Sequence, residues 1–276
     1  MLTGRRILIT GVVNTESIAF ATAARAQQLG ADVLLTALPR DLRSCQEASR
    51  ELPRMAGVFP LDATRPEDYD ALADELKTRW GGLDGALHAV AFAPRDALAG
   101  DFLRPQPDGL SLAFQTSAVS YAHLGRLVAD LAPADGAALV GLDFDAAGAW
   151  PVYNWMGVCK AALESVNRYL ARDLGPMGIR ANLVAAGPLI TRAASGIPDF
   201  ERLLEAWETT APLAWDATDA APVADACCFL LSELGRAVTG EILHVDGGHH
   251  AMAGALRPRA ERTRALDPVA VLAPQV

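Results

Sequence analysis

The sequence predicts a doubly wound α/β fold, a seven-stranded parallel sheet with helices on both faces. Three observations predict it. Short β-rich runs alternate with helical patterns along nearly the whole chain. The β-rich runs are apolar throughout, as strands covered on both faces are. With 276 residues, 51% of them hydrophobic and 21% charged, the chain is able to bury a full core.

The elements follow in order. The run 5–10 (RRILIT), a helix over 17–29 closed by Gly30, and the run 32–36 (DVLLT) form a first βαβ unit. Next come the run 57–61, a helix over 66–79, the run 85–92 (GALHAVAF), a long helix over 109–131 and the run 137–144 (AALVGLDF). A helix over 153–174, the run 179–186 (IRANLVAA), helices over 200–208 and 223–231, and the run 241–245 (EILHV) complete seven strands. Right-handed crossovers then lay these strands into one parallel sheet. Residues 1–253 read as one domain, and the Ala-, Pro- and Arg-rich stretch 254–276 reads as a loosely ordered tail.

Composition narrows the function classes. A net charge of −9 offers no basic footprint for nucleic acid. No run approaches the roughly 20 apolar residues of a membrane span, and residues 1–10 lack a signal-peptide pattern, so a cytoplasmic protein is expected. Cys45, Cys159, Cys227 and Cys228 show neither zinc-ligand nor disulfide spacing. They are expected to be buried hydrophobes in a reducing compartment, and no metal is expected.

Two segments carry chemistry. The turn after the first run reads Gly11-Val12-Val13-Asn14-Thr15-Glu16-Ser17-Ile18-Ala19, where a dinucleotide fingerprint asks for two further glycines. Gly11 still allows a tight exit from the strand, and Ser17 opens a helix whose free N–H groups suit a pyrophosphate. An ordinary capped strand-to-helix turn reads the same way. The second segment runs from Tyr153 to Lys160. Seven residues of helix is nearly two turns, which places the two side chains on one face, roughly 10 Å apart along the axis. Lys160 is one of only two lysines, with Lys77, among 24 basic residues, and its neighbours Val158, Cys159, Ala161, Ala162 and Leu163 are apolar. A partly buried charge there calls for a partner, whereas a snorkelling lysine on an amphipathic helix does not.

A tyrosine and a lysine on the helix after the fifth strand resemble the short-chain dehydrogenase superfamily, although the spacing is longer than that superfamily's usual four residues. With the glycine-poor loop 11–19 and the run Ala185-Ala186-Gly187-Pro188-Leu189-Ile190-Thr191, the chain resembles the NADH-dependent enoyl-[acyl-carrier-protein] reductases from residue 6 to residue 248. Gly141-Leu142-Asp143-Phe144-Asp145, Tyr153-Asn154-Trp155-Met156 and Ala162-Leu163-Glu164-Ser165-Val166-Asn167-Arg168 are most similar to the mycobacterial mycolate-pathway type.

The resemblance implies a Rossmann-like fold with a small substrate lid at about 191–212, and hydride transfer from NADH to the β-carbon of a trans-2-enoyl thioester on acyl carrier protein. It implies that Tyr153 donates to the thioester oxygen, that Lys160 holds the nicotinamide ribose, and that Phe144 packs beside the reacting groups. Cofactor contacts implied are Gly11, Val13, Ser17 and Ile18 at the pyrophosphate, Leu38, Asp62 and Ala63 at the adenine, Val90 and Ala91 at the ribose, and Leu189 and Thr191 at the carboxamide. The second run carries no acid at its tip, and Arg40 is placed to meet a 2′-phosphate, so NADPH stays open beside the NADH that the resemblance favours. A homotetramer is the family's usual assembly.

The chain departs from the family in three places. Ala89 and Ala91 stand where serine and glycine are usual, the segment after Thr191 is shorter than in the mycobacterial type, and the tail beyond Gly248 is longer. Two other readings remain at this point. One is a reductase of the same superfamily acting on another enone or carbonyl, although Gly141, Leu142 and Asp143 occupy the place of a ketoreductase's serine. The other is a dinucleotide sensor without catalysis, although both Tyr153 and Lys160 are retained.

Overall fold

A computed structural model describes residues 1–256; most of the expected tail, 257–276, lies outside the described residues. Seven strands form one all-parallel sheet in the order β3-β2-β1-β4-β5-β6-β7: β1 (Arg6–Thr10), β2 (Asp32–Ala37), β3 (Gly57–Pro60), β4 (Gly85–His88), β5 (Ala137–Asp143), β6 (Ile179–Ala186) and β7 (Ile242–Val245). The predicted fold class and all seven strands are present. Strand order reverses between β1 and β4, which opens a crevice at their carboxyl ends.

The apolar runs are explained by a core on each face. Ile7 and Ile9 of β1, Val140 of β5 and Val184 of β6 pack on one side, while Leu8, Leu139 and Leu183 pack on the other. Successive residues of a strand point to opposite faces, so a strand covered on both sides must be apolar at every position. Helices α1 (Ile18–Gln28) and α9 (Ala221–Leu231) cover the first face. Helices α3 (Pro66–Trp80), α6 (Ser120–Leu131) and α7 (Asn154–Leu174) cover the second. The four cysteines are buried and unpaired, as expected.

Four elements differ from the sequence reading. The helix expected over 109–131 is α5 (Pro107–Phe114), a π turn (Gln115–Val119) and α6. The wide turn carries Ser117 to the end of β4, where its hydroxyl accepts from the Phe92 N–H and donates to the Phe92 carbonyl. The run 85–92 pairs as a strand only to His88. Beyond it the Thr10 hydroxyl donates to the Leu87 carbonyl and accepts from the Ala89 N–H, so a side chain takes over the ladder and 89–92 leave the sheet. Two helices, α2 (Leu42–Ser49) and α4 (Arg95–Ala99), were not predicted. The segment 191–212 holds a 3₁₀ turn (Ala194–Gly196) and α8 (Glu201–Thr210).

The crevice depends on one close approach. Gly11 has φ +78°, and a Cβ there would sit 2.1 Å from the Ala89 carbonyl oxygen. Only glycine lets the ends of β1 and β4 come this near. Gly11→Ala should therefore destabilise the fold by about 1–3 kcal/mol, read as a lower urea midpoint with unchanged m-value.

Candidate active site

Every residue singled out for the dinucleotide lies at the carboxyl edge of the sheet or on the helix that follows. Gly11 and Val13 follow β1, Leu38 follows β2, Asp62 and Ala63 follow β3, Val90 and Ala91 follow β4, and Leu189 and Thr191 follow β6. Ser17 is the N-cap of α1, accepting from the Phe20 N–H at 3.1 Å and donating to the Asn14 carbonyl at 2.9 Å. The N–H groups of Ile18 and Ala19 ahead of that bond face the crevice end of the helix, the arrangement that suits an anion.

Some expected contacts have a structural occupation as well. One Asp62 oxygen accepts from the N–H and hydroxyl of Thr64, which fixes the turn and leaves the other oxygen for a ligand. Leu189 buries its side chain in the core, so only its backbone can meet a ligand. The Thr191 hydroxyl accepts from the Ala194 N–H and caps the turn that follows it.

Tyr153 does not begin the helix as expected; it stands one residue ahead of α7 as its N-cap. Its neighbours Val152 (φ 57°) and Asn154 (φ 28°) both have left-handed backbone. For a β-branched residue this is a strained conformation, of the kind that surrounding contacts must impose. Here the Asn154 amide donates to the Gly100 carbonyl, and Phe144 packs on the Tyr153 ring at 4.9 Å between centroids. The Tyr153 ring is buried, its hydroxyl makes no hydrogen bond to another described residue, and burial pushes its pKa well up. It is held as a neutral phenol with its proton free to donate.

Lys160 is only 5% exposed. Its Nζ donates to the Leu142 carbonyl at 2.9 Å, leaving two N–H groups without a partner among the described residues, and burial lowers its pKa. Two further groups, absent from the sequence reading as site residues, complete the setting. Asp143 and His88 are buried at the ends of β5 and β4, and Lys160 acts electrostatically on both. His88 shares a 2.7 Å hydrogen bond with the Ser120 hydroxyl, and burial beside Lys160 pushes its pKa down to about 3, so it is neutral. An acid inside the run AALVGLDF and a histidine inside GALHAVAF were the available signals.

An aromatic wall extends from Tyr153 toward α8. Phe144 meets Trp150 (5.3 Å) and Trp207 of α8 (5.5 Å), and Trp207 stacks on His249 at 3.8 Å. The Trp207 indole N–H donates to the Asp246 carbonyl. No local pattern signals this wall, because its members come from segments far apart in sequence.

A family model described as enoyl-(acyl carrier protein) reductase matches residues 11–250. The chain is 39% identical over 262 residues to the enoyl-[acyl-carrier-protein] reductase [NADH] of Mycolicibacterium smegmatis, covering 90% of this chain and 97% of the relative. It is 38% identical to the corresponding Haemophilus influenzae protein, covering 90% and 94%, and 37% identical to that of Bacillus cereus, covering 91% and 99%.

The Ser17 cap separates stability from ligand binding. Ser17→Ala should cost about 1 kcal/mol of stability. Ser17→Asp, an equally good cap, should keep that stability while its carboxylate repels an anion at the helix end. Urea denaturation of the two variants, beside dinucleotide titration by fluorescence, reads both effects.

Proposed function

The chain belongs to the enoyl-(acyl carrier protein) reductase family, and from that premise we propose that it reduces the trans-2 double bond of enoyl thioesters on acyl carrier protein with NADH, in fatty-acid elongation. The observation that carries the reading is the pairing of a buried, neutral Tyr153 with a buried Lys160 at the carboxyl end of β5. The nicotinamide, when bound, supplies the hydride that adds to the β-carbon of the substrate.

The protein's own groups do the rest. Tyr153 donates to the thioester oxygen as it gains negative charge, and in a water-poor site such a donor is worth more than in solvent. A phenol whose pKa is raised keeps its proton throughout. Lys160 directs its two spare N–H groups at the ribose hydroxyls, and its charge favours the enolate. Gly11, the α1 N-terminus with Val13, Ser17 and Ile18, and the backbone of Leu189 and Thr191 hold the phosphates and carboxamide. Leu38, Asp62 and Ala63 receive the adenine, Val90 and Ala91 border the ribose, and Phe144 closes the space beside the nicotinamide. The segment 191–212 acts as the lid, within a single catalytic domain over 1–253.

The absence of an acid at the tip of β2 and the exposed Arg40 bear on cofactor choice, with NADH preferred on the strength of the relatives' shared activity. Among the described residues no helix is long and apolar enough to cross a membrane. A cytoplasmic homotetramer completes the reading. Exposed Val158 and Tyr169, eleven residues apart and so on one face of α7, supply apolar surface for assembly.

NADH oxidation followed with crotonyl and octenoyl thioesters, beside a 3-ketoacyl thioester, tests the reaction: turnover of the ketone alone overturns it. Two variants test the roles. Tyr153→Phe should lower kcat with NADH affinity nearly unchanged. Lys160→Ala should weaken NADH binding roughly ten- to a hundredfold, the loss of charge-assisted hydrogen bonds. Lys160→Ala binding NADH as tightly as the parent would remove the ribose role.

A further inference from the structure

Asp143 is the last residue of β5, and Leu142 before it offers the carbonyl that Lys160 grips. Its carboxylate is buried, and neither oxygen has a hydrogen-bond partner among the described residues. A buried carboxylate without partners is unusual, because burial disfavours the charged form unless an opposite charge compensates. Around it stand Tyr121 from α6, Tyr153 ahead of α7, Lys160 and Glu164 from α7, and Asp145 from its own loop, while His88 from β4 and Cys159 from α7 stand by Lys160. His88, the two tyrosines and the thiol are neutral. Of the groups whose charge acts on Asp143, Lys160 is the one cation.

We propose that Asp143 is a positioning residue whose negative charge keeps the buried Lys160 protonated, so that one ammonium N–H holds the Leu142 carbonyl while two remain for a ligand's hydroxyls. The two side chains make no hydrogen bond to each other, so the coupling acts through space across a water-poor interior. A deprotonated lysine keeps two N–H groups in place of three and loses the charge that strengthens each bond.

The sign of the coupling follows from the two shifts. Burial lowers the Lys160 pKa, and Asp143 is the first-ranked influence opposing that. Burial pushes the Asp143 pKa up to about 7, against the pull of Lys160. Asp143 therefore takes on its charge near neutrality and above, where it opposes the loss of the Lys160 proton. Removing the carboxylate charge disfavours the ammonium and moves Lys160 deprotonation to lower pH.

The chain's lysine content allows a direct test. Lys160 and Lys77 are the only lysines, so ε-¹³C-lysine labelling gives two signals, and Lys77→Arg leaves one. In the Lys77→Arg background, the Lys160 titration midpoint should fall by about one pH unit or more in Asp143→Asn, a tenfold or larger loss of proton affinity. Asp143→Ser, smaller and equally uncharged, should fall likewise, and serves where the Asn variant does not fold. A midpoint equal to the parent's in a folded variant overturns the proposal.

The second readout rests on the ribose role proposed for Lys160. NADH affinity of Asp143→Asn, followed by fluorescence, should match the parent within about twofold near pH 6 and weaken about tenfold or more by pH 9. A weakening that is constant with pH marks a merely structural role and overturns the proposal. A shifted lysine midpoint without any change in NADH affinity upholds the charge coupling and overturns the ribose role instead, so the two failures are distinguishable.

Discussion

The burial of one ammonium group organises this site. Lys160 lies in the interior of the second helical layer, where a charge is disfavoured and must be compensated. The compensation is distributed: a backbone carbonyl from Leu142 gives one hydrogen bond, and Asp143 gives an opposing charge. Three ionisable neighbours carry no charge. His88 is held neutral far below its usual range, and Tyr121 and Tyr153 are held neutral far above theirs. The result is one buried cation beside two undissociated phenols, of which Tyr121 is hydrogen-bonded to Asn167 and Asn182 and Tyr153 has no partner among the described residues, which is the charge arrangement that an oxyanion-forming reaction needs from its surroundings.

The sheet is what makes that burial possible. β4, β5 and α7 bring His88, Asp143 and Lys160 together, and each is fixed by the pairing of strands whose both faces are apolar. The loops above the strand ends need no regular packing of their own, so short side-chain bonds define them: Thr10 to Ala89, Ser117 to Phe92, Ser17 to Phe20, Thr191 to Ala194. Strain enters at Val152 and Asn154, on either side of Tyr153, where the chain must turn sharply to place the phenol ahead of its helix.

The sequence revealed the fold well because its signals are periodic. All seven strands and the principal helices were legible, since two-faced burial leaves apolar runs of strand length between helical patterns. Two short helices, α2 and α4, and the π turn were not, because each is defined by a few hydrogen bonds and not by a period. Of the site, Gly11, Ser17, Tyr153 and Lys160 were legible from chemistry at fixed spacing. Asp143 and His88 were visible only as polar residues inside apolar runs, and their coupling to Lys160 appears only once the strands are laid side by side. Tyr153 was misplaced by one residue, because no pattern announces a positive φ at Val152.

The aromatic wall shows the limit of local reading most clearly, and it also links α8 to Tyr153. Trp150 and Phe144 come from the loop between β5 and α7, Trp207 from α8, and His249 from the turn after β7. Their rings meet within 3.8–5.5 Å of one another, and Phe144 passes the contact on to Tyr153. Both indole N–H groups end on backbone carbonyls, of Asp145 and Asp246, which fixes the ring planes. A packed aromatic cluster of this kind resists small displacements, because its members cannot shift independently without losing contact. Any movement of α8 must therefore be felt at Phe144, and through it at the ring of Tyr153.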